Sequence, residues 1–405
     1  MNVKGLMAVV IACPVLTAPF SNNSIIRAFD YSIISASAET VVDVTGEGVS
    51  KKAVAINVAN KAYADCLKRN LERSGLFVVK PGASIQVAGA SGAIRVSGGG
   101  KALSAATAFT DDKSARMAAR RLSDAMCEAY GNQKGFACDK IVFLNRGKMI
   151  AKGQAKPAEI CVSYPDGLDI RQLTSDRKMV VYPRWKADGE SILYIGDMKG
   201  APQIWEMNTA TGRRAVKWSL KGSPTGIAVS PDGTKVALVS SFQGNPELYV
   251  MSMGSGDWTR LTVTPNASEG QPTWSPDGRK IAYVSNETRY PQIYVIDVAT
   301  KAKRRLTSRG RENFDPDWGK DGRIAYITKR GAAQIAVMNP AEGDASAKLV
   351  TEQATWEHPS WSRDGRHLTA NRDGVIFLID TLEGGDKPVR MFSANGNWIS
   401  PCWVK

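Results

Sequence analysis

Beyond about residue 139 the chain is a succession of short apolar runs with polar ends. "ELYVMS" (247–252), "KIAYVS" (280–285), "QIYVID" (292–297), "RIAYIT" (323–328) and "VIFLID" (375–380) are six residues long and rich in Ile, Val and Tyr. Period-two alternation in runs of this length predicts β-strands that bury one face. The runs recur in a fixed order. A tryptophan, two residues and then Asp-Gly open a unit: "WKADG" at Trp185, "WSPDG" at Trp274, "WGKDG" at Trp318 and "WSRDG" at Trp361, with "VSPDG" at Val229 filling the gap. Trp403 stands in the same place near the end. Successive anchors are 44, 45, 44, 43 and 42 residues apart, and Pro183, Pro272, Pro316, Pro359 and Pro401 precede most of them by two positions.

A period of about 40–45 residues with several strands per unit predicts a β-propeller. In each unit strand a carries the tryptophan, the Asp-Gly turn follows, strands b and c come next, and strand d ends in Leu-Thr, as in "RRLT" (304–307). The aspartates are accounted for by turn chemistry and are not candidates for catalysis. Six anchors predict six blades. The last unit has only its strand a. "DKIVFLN" from Asp139, "AEICVSYPDG" from Ala158 and "IRQLT" from Ile170 supply strands b, c and d. Residues 401–404 are thus expected beside 139–146, closing the ring and removing its free edges.

The pattern before residue 139 is different. "AVAINV" (53–58) reads as a strand. Asn60 can cap a helix whose stripe is Ala62, Tyr63, Cys66, Leu67, Asn70 and Leu71, ended by Gly75. "LFVVK" is the next strand, and "SIQV" and "AIRV" predict a hairpin. A second helix is expected from about Asp111 to Tyr130, with Ala115, Ala118, Ala119, Leu122, Ala125, Met126 and Ala129 on one face and Gly131 as its stop. The expected fold class is multi-domain: a small N-terminal α/β domain over 39–138, then a six-bladed β-propeller over 139–405.

Charge changes this picture little. The formal net charge is +14, but the excess is diffuse: 14 basic against 9 acidic residues over 39–138, and 37 against 29 from 139 onward, with no block of like charges. Nucleic acid is therefore not an expected partner. Lys4 precedes an apolar run, Gly5 to Phe20, broken by Pro14 and Pro19; this reads as a targeting segment rather than a membrane span. "VIAC" ending at Cys13 weakly resembles a lipoprotein signal, whereas "ASA" (36–38) has the form of a secretory site, and cleavage before Glu39 is favoured, making 1–38 a signal peptide. Five cysteines follow that point, none in CxxC spacing. An odd number leaves at least one thiol unpaired. A bridge between Cys127 and Cys138 is expected at the domain junction, in preference to Cys161–Cys402, whose strands have strand b between them.

Chemistry-bearing motifs are few. With only His358 and His367, a histidine-rich metal site is excluded by count. "GGGK" (98–101) has Ala102 where a phosphate loop needs Ser or Thr and Arg95 where it needs its first glycine, so it reads as a turn and no cofactor is expected. A propeller-linked hydrolase would need Gly-x-Ser-x-Gly, which the sequence lacks. A binding scaffold is expected instead of an enzyme. The connections from strand d to the next strand a differ between units, while the Asp-Gly turns at the other end are uniform. Variation within a repeated scaffold marks a specific surface. Those connections offer Tyr182, Thr225, Glu269, Gln271, Asn313, Phe314, Asp315, Trp356, Glu357, His358, Asn397 and Trp398 as partner-binding candidates. Glu39 to about Ser50, with Gly46 and Gly48, is expected to be mobile in the free protein.

An exported leader, a small α/β domain and a propeller with recurrent "WSPDG", "IAYVS", "QIYVID" and "RRLT" resemble the TolB family, the periplasmic propeller component of the Tol–Pal envelope system. "ETVVDVTGEGVSKKAVAINV" is similar to the family's mature start, "AYADCLKRNLERSGLFVV" to its first helix and following strand, and "PCWVK" to its terminal strand. The resemblance implies a non-catalytic periplasmic scaffold for envelope integrity and cell division. Its propeller would hold a Pal-like peptidoglycan-associated lipoprotein, its N-terminus would contact a TolA-like protein, and its membrane association would be indirect, through these partners. The loop set above would resemble the Pal-contacting surface, with His358 and Glu269 at matching loop positions rather than as matching residues. The alternative is a TolB-like propeller that serves another envelope complex or binds glycan.

Overall fold

The computed structural model describes residues 50–105, 108–147, 157–197, 201–220, 222–382, 387–393 and 396–404. The expected signal peptide and the expected mobile segment up to residue 49 lie outside them. None of the described helices is long and apolar enough to cross a membrane.

The first part is a five-stranded sheet with two helices: β1 (Lys52–Val58), α1 (Lys61–Arg73), β2 (Phe77–Val79), β3 (Ile85–Gly89), β4 (Ile94–Gly98), β5 (Lys101–Ala105) and α2 (Asp112–Gly131). The strand order is β2-β1-β3-β4-β5, with β1 parallel to both its neighbours. Asn60 starts α1 by accepting the Tyr63 N–H at 2.9 Å, and Asp111 starts α2 through a reciprocal box with Ser114. Tyr63, Cys66, Leu67 and Leu71 of α1 are fully buried with Ala115, Ala119 and Met126 of α2. Two details differ from expectation. Gly131 lies inside α2, and Asn132 makes the left-handed stop at φ 51°. Ala125 is exposed, while Arg120, Ser123 and Cys127 are buried. "GGGK" forms the tight β4–β5 turn, where Gly99 and Gly100 have φ of 62° and 74°, the left-handed pair that a two-residue hairpin favours.

The remainder is a ring of six four-stranded sheets. We number the blades in chain order from the one whose strand a is Val180–Trp185; strands a of blades 2 to 6 are Pro224–Val229, Glu269–Trp274, Glu312–Trp318, Trp356–Trp361 and Trp398–Trp403. Strands a pack against one another around a central channel, and strands d lie outermost. The ring closes as expected. Strand a of blade 6 pairs with Ile141–Arg146, through Trp398↔Asn145, Ile399↔Leu144, Cys402↔Val142 and Trp403↔Ile141. The threonine of the recurrent Leu-Thr, which is Val350-Thr351 in blade 4, also finds its reason. Thr174, Thr262, Thr307 and Thr351 each accept, at 2.9 Å, the N–H of Ile160, Leu248, Ile293 or Ile335 near the start of strand c, fastening the end of the outer strand.

The helices lock onto blade 6. Arg120 is fully buried; its Nε donates to Asp166 at 2.7 Å, its Nη2 to Asp169 at 2.8 Å, and its guanidinium lies 3.9 Å from the centre of the Tyr164 ring. Asp166 also accepts from Asn70 (3.1 Å) and the Cys66 thiol (3.4 Å). A buried charge persists only with such a full set of partners.

The expected Cys127–Cys138 bridge does not form, and all five described cysteines are free thiols. Asp124 accepts the N–H groups of Ala137 (2.7 Å) and Cys138 (3.1 Å), which turns Cys138 towards that carboxylate. Cys127 faces Ser74 instead. Burial pushes the Cys127 and Cys161 thiols up to about 12, so both remain protonated near neutral pH.

Candidate docking site at the channel mouth

Strand a begins earlier than the sequence pattern suggests. Eleven of the twelve candidate residues lie within strands a, and Asn397 alone stands before one. The pattern misleads because in five of the six blades a proline sits inside the strand, two residues before its end; in blade 2 Ile227 stands there. Pairing continues past it through a bulge, with register shifts at Gly270/Thr273, Phe314/Asp317, Glu357/Ser360 and Ile399/Cys402. The residue before the proline takes a left-handed conformation: Tyr182 at φ 54°, and Gln271, Asp315, His358 and Ser400 at 51°. Such a conformation costs a non-glycine residue roughly 1–2 kcal/mol. At Asp315, His358 and Ser400, hydrogen bonds between blades offset it.

The Asp315 N–H donates to Gln271 Oε1 at 2.9 Å, and Gln271 Nε2 donates back to Asp315 Oδ1. The His358 N–H donates to Asp315 Oδ2 at 3.1 Å, and the Ser400 N–H to Asn371 Oδ1 at 3.1 Å. A second tier lies deeper: Trp318 N–H to Thr273 Oγ1 (3.1 Å), Trp361 N–H to Asp317 Oδ2 (2.8 Å) and Trp403 N–H to Ser360 Oγ (3.2 Å). Blades 3 to 6 are thereby stitched in series. In blade 2 glycine stands at the equivalent place. A Cβ on Gly226 would lie 2.8 Å from Pro272 Cδ, too close for any other residue without a shift.

The channel encloses a cavity of about 330 Å³ that runs from Tyr182, Gln271, Asp315 and His358 at one rim to Lys186, Pro231, Pro276 and Lys320 beside the Asp-Gly turns at the other. Asn371 Oδ1 accepts from Ser400, so His358 Nδ1, 3.2 Å from the same oxygen, carries the proton. The Asn371 amide donates to Glu357 Oε2 at 2.8 Å. Burial holds the Glu357 carboxyl above the usual carboxylate range, against the pull of His358 and the Asn371 hydrogen bond.

The candidates divide by exposure. Tyr182, Gln271, Phe314, Glu357 and His358 are half-buried, and Asn397 is exposed. Thr225, Glu269, Asn313, Asp315, Trp356 and Trp398 are buried. Trp356 packs edge-on to Phe377 (5.4 Å) and donates to the Glu352 carbonyl at 3.0 Å. Trp398 packs against Phe392 (4.5 Å) and Phe143 (6.2 Å). These two tryptophans, expected as contact aromatics on loops, are core residues of blades 5 and 6. Asn313 holds the neighbouring loop through Gln292 Oε1 (2.9 Å) and the Arg309 carbonyl (2.8 Å). Sequence reasoning missed Asn371, Asp317 and Ser360, whose neighbours across the blade boundary lie more than ten residues away in sequence. Among the described residues no cluster of His, Cys, Asp and Glu could hold a metal ion.

Comparison with known proteins agrees with this architecture. The family model described as the TolB β-propeller domain matches residues 128–405. The Tol-Pal system protein TolB of Anaeromyxobacter dehalogenans (strain 2CP-C) is 30% identical over 164 residues, 40% of this chain and 36% of that protein. That of Anaeromyxobacter sp. (strain K) matches to the same extent. The match thus spans little more than a third of the length of these curated relatives. Among solved structures, TolB from Acinetobacter baumannii has a TM-score of 0.74 at 22% identity, covering 88% of this chain and 97% of that one. A chain of a nidogen/laminin complex has a TM-score of 0.53 at 12% identity over 66% of this chain and 98% of that one; at this distance only the fold is shared. From the repeat, the closed six-bladed ring and the family match over most of its length, the chain belongs to the TolB β-propeller family.

Proposed function

We propose that this chain is a non-catalytic periplasmic scaffold of a Tol–Pal-like system. Its propeller docks a Pal-type lipoprotein at the channel mouth, and the segment from Glu39 to about Ser50 engages a TolA-type partner. The domain division at 138/139 belongs to the same proposal. The observation that carries the docking site is the half-buried set Tyr182, Gln271, Phe314 and His358, whose backbones are fixed by the bulges and, in blades 3 to 5, by the stitching between blades. Side chains that differ from blade to blade on a rigid backbone lose little freedom when a partner binds. The opposite rim carries repeated turns whose polar atoms are spent on themselves: Ser275 Oγ donates to Asp277 at 2.5 Å and accepts the Lys280 N–H at 2.9 Å.

Calorimetric titration with the periplasmic domains of a Pal-type and a TolA-type protein tests this. Saturable binding of the first, retained when 39–50 is removed, and of the second, lost on that removal, is expected. Absence of Pal-type binding, combined with affinity for purified peptidoglycan alone, would favour the glycan-binding alternative.

A further inference from the structure

Beside the channel mouth the same face carries a group of cations. In blade 3 the connection between strands b and c runs "NETRYP" (286–291), and the connection to blade 4 includes "SRGR" (308–311). The Arg311 N–H donates to the Lys329 carbonyl at 3.0 Å, which holds this connection against the end of a blade 4 strand, where Arg330 follows. The backbone thus brings Arg289, Arg309, Arg311 and Arg330 to one edge, and all four are exposed.

Two neighbouring carboxylates are engaged elsewhere, and a third, Asp344, lies against Arg309 and offsets part of its charge. Glu287 pairs with Lys303, Glu312 with Lys329 (3.6 Å), and Asp344 accepts the backbone N–H groups of Ser308 (2.5 Å) and Arg309 (2.6 Å). Among the described residues no carboxylate forms an ion pair with any of the four arginines. Half-buried Tyr290 lies between two of them, its ring centre 5.1 Å from the Arg311 guanidinium and 5.9 Å from that of Arg289. Attraction to the ring steadies these guanidinium groups without a carboxylate partner. Arg289 is itself held at φ 80°, with its N–H on the Asn286 carbonyl at 2.8 Å. The one carboxylate beside the group, Asp344, leaves the edge with an excess of positive charge that an anion would complement.

We propose that this patch binds an acidic segment of a polypeptide partner, its carboxylates paired to Arg289, Arg309, Arg311 and Arg330. The choice of a protein over other polyanions rests on the reading of this face as the docking surface. The patch adjoins that surface directly: Asn313 ties the Arg309 carbonyl to strand a, and Phe314 is the next residue. Four cations grouped at one blade edge suit a short run of carboxylates rather than the continuous track that a nucleic-acid backbone requires.

The test follows fluorescein-labelled octaglutamate by anisotropy at about 20 mM and about 150 mM salt. Binding is expected to the native chain, weakening with salt, while octaglutamine does not bind. The triple variant Arg309→Ala, Arg311→Ala, Arg330→Ala should bind roughly tenfold more weakly, because three exposed ion pairs are lost together. A control of equal charge on the opposite rim, Lys235→Ala, Arg279→Ala, Lys280→Ala, should bind as the native chain does. Equal weakening in the two triples, or none in the first, would overturn the patch. Tighter retention of the chain by 1:1 phosphatidylglycerol/phosphatidylcholine vesicles or by an eight-nucleotide oligothymidylate would overturn the choice of a polypeptide. A Pal-type domain that fails to bind the native chain counts against the docking reading, whereas the octaglutamate result decides the patch itself.

Discussion

At the scale of single residues, burial decides which candidates can report on a partner. Trp356 is 1% exposed and packs on Phe377, so Trp356→Ala should cost the fold about 3–5 kcal/mol, read as a lowered midpoint in denaturant. Phe314 is half-buried, and Phe314→Ala should instead weaken Pal-type binding by roughly 1–4 kcal/mol if it is a hot spot, with a cooperative melt retained. Glu269 is a different case. Burial, reinforced by the charge of Glu247, pushes its carboxyl up to about 8. Between the ordinary carboxylate range and that value the folded chain binds more protons than the unfolded one. Stability from this group therefore falls as pH rises through that window, by about 1.4 kcal/mol per unit at most, and levels off above it. Glu269→Gln should abolish this slope. Melts of both forms between about pH 5 and 8.5 check the sign, and a native melt that rises across the window relative to the variant would contradict it.

At the scale of elements, the inter-blade stitching is the device that holds strands a in place. Asp317→Ala leaves the Trp361 N–H without its 2.8 Å acceptor and should destabilise by about 1–3 kcal/mol, measured by urea unfolding. The sequence showed much of this level. Turn spacing and apolar runs located strands b and c of most blades, the two helices and both helix starts, because these rest on local chemistry: Asp-Gly turns, Asn60 and Asp111 caps, and stripes on one helix face. It did not show the first half of each strand a. In five blades a proline interrupts the pattern there, and the bulge that rescues pairing, as at Asp315 or His358, depends on acceptors in the neighbouring blade. For the same reason the pattern places Trp356 and Trp398 on loops, although both are buried in strands a. Arg120 escaped notice because its partners, Asp166 and Asp169, lie more than forty residues away.

At the scale of the whole molecule, the ring is closed by a strand from the far end of the chain. Removing Ser400–Lys405 takes away the Cys402↔Val142 and Trp403↔Ile141 pairs and the buried Trp403 side chain, and exposes the edge of blade 6. A sharp fall in melting temperature, with increased self-association through the new edge, is expected; an unchanged melt would refute closure as a stabilising device. The closed ring also gives the molecule two unlike faces. One presents uniform, self-satisfied turns. The other presents the bulged starts of strands a, with side chains that change from blade to blade. The central claim is that a partner reads the second. Hydroxyl-radical footprinting with and without a Pal-type periplasmic domain tests it most directly. The account predicts protection of Phe314, His358 and Tyr182 on binding, with Trp258 on the outer strand of blade 2 unchanged; protection of Trp258 with Phe314 and His358 still reactive would contradict it.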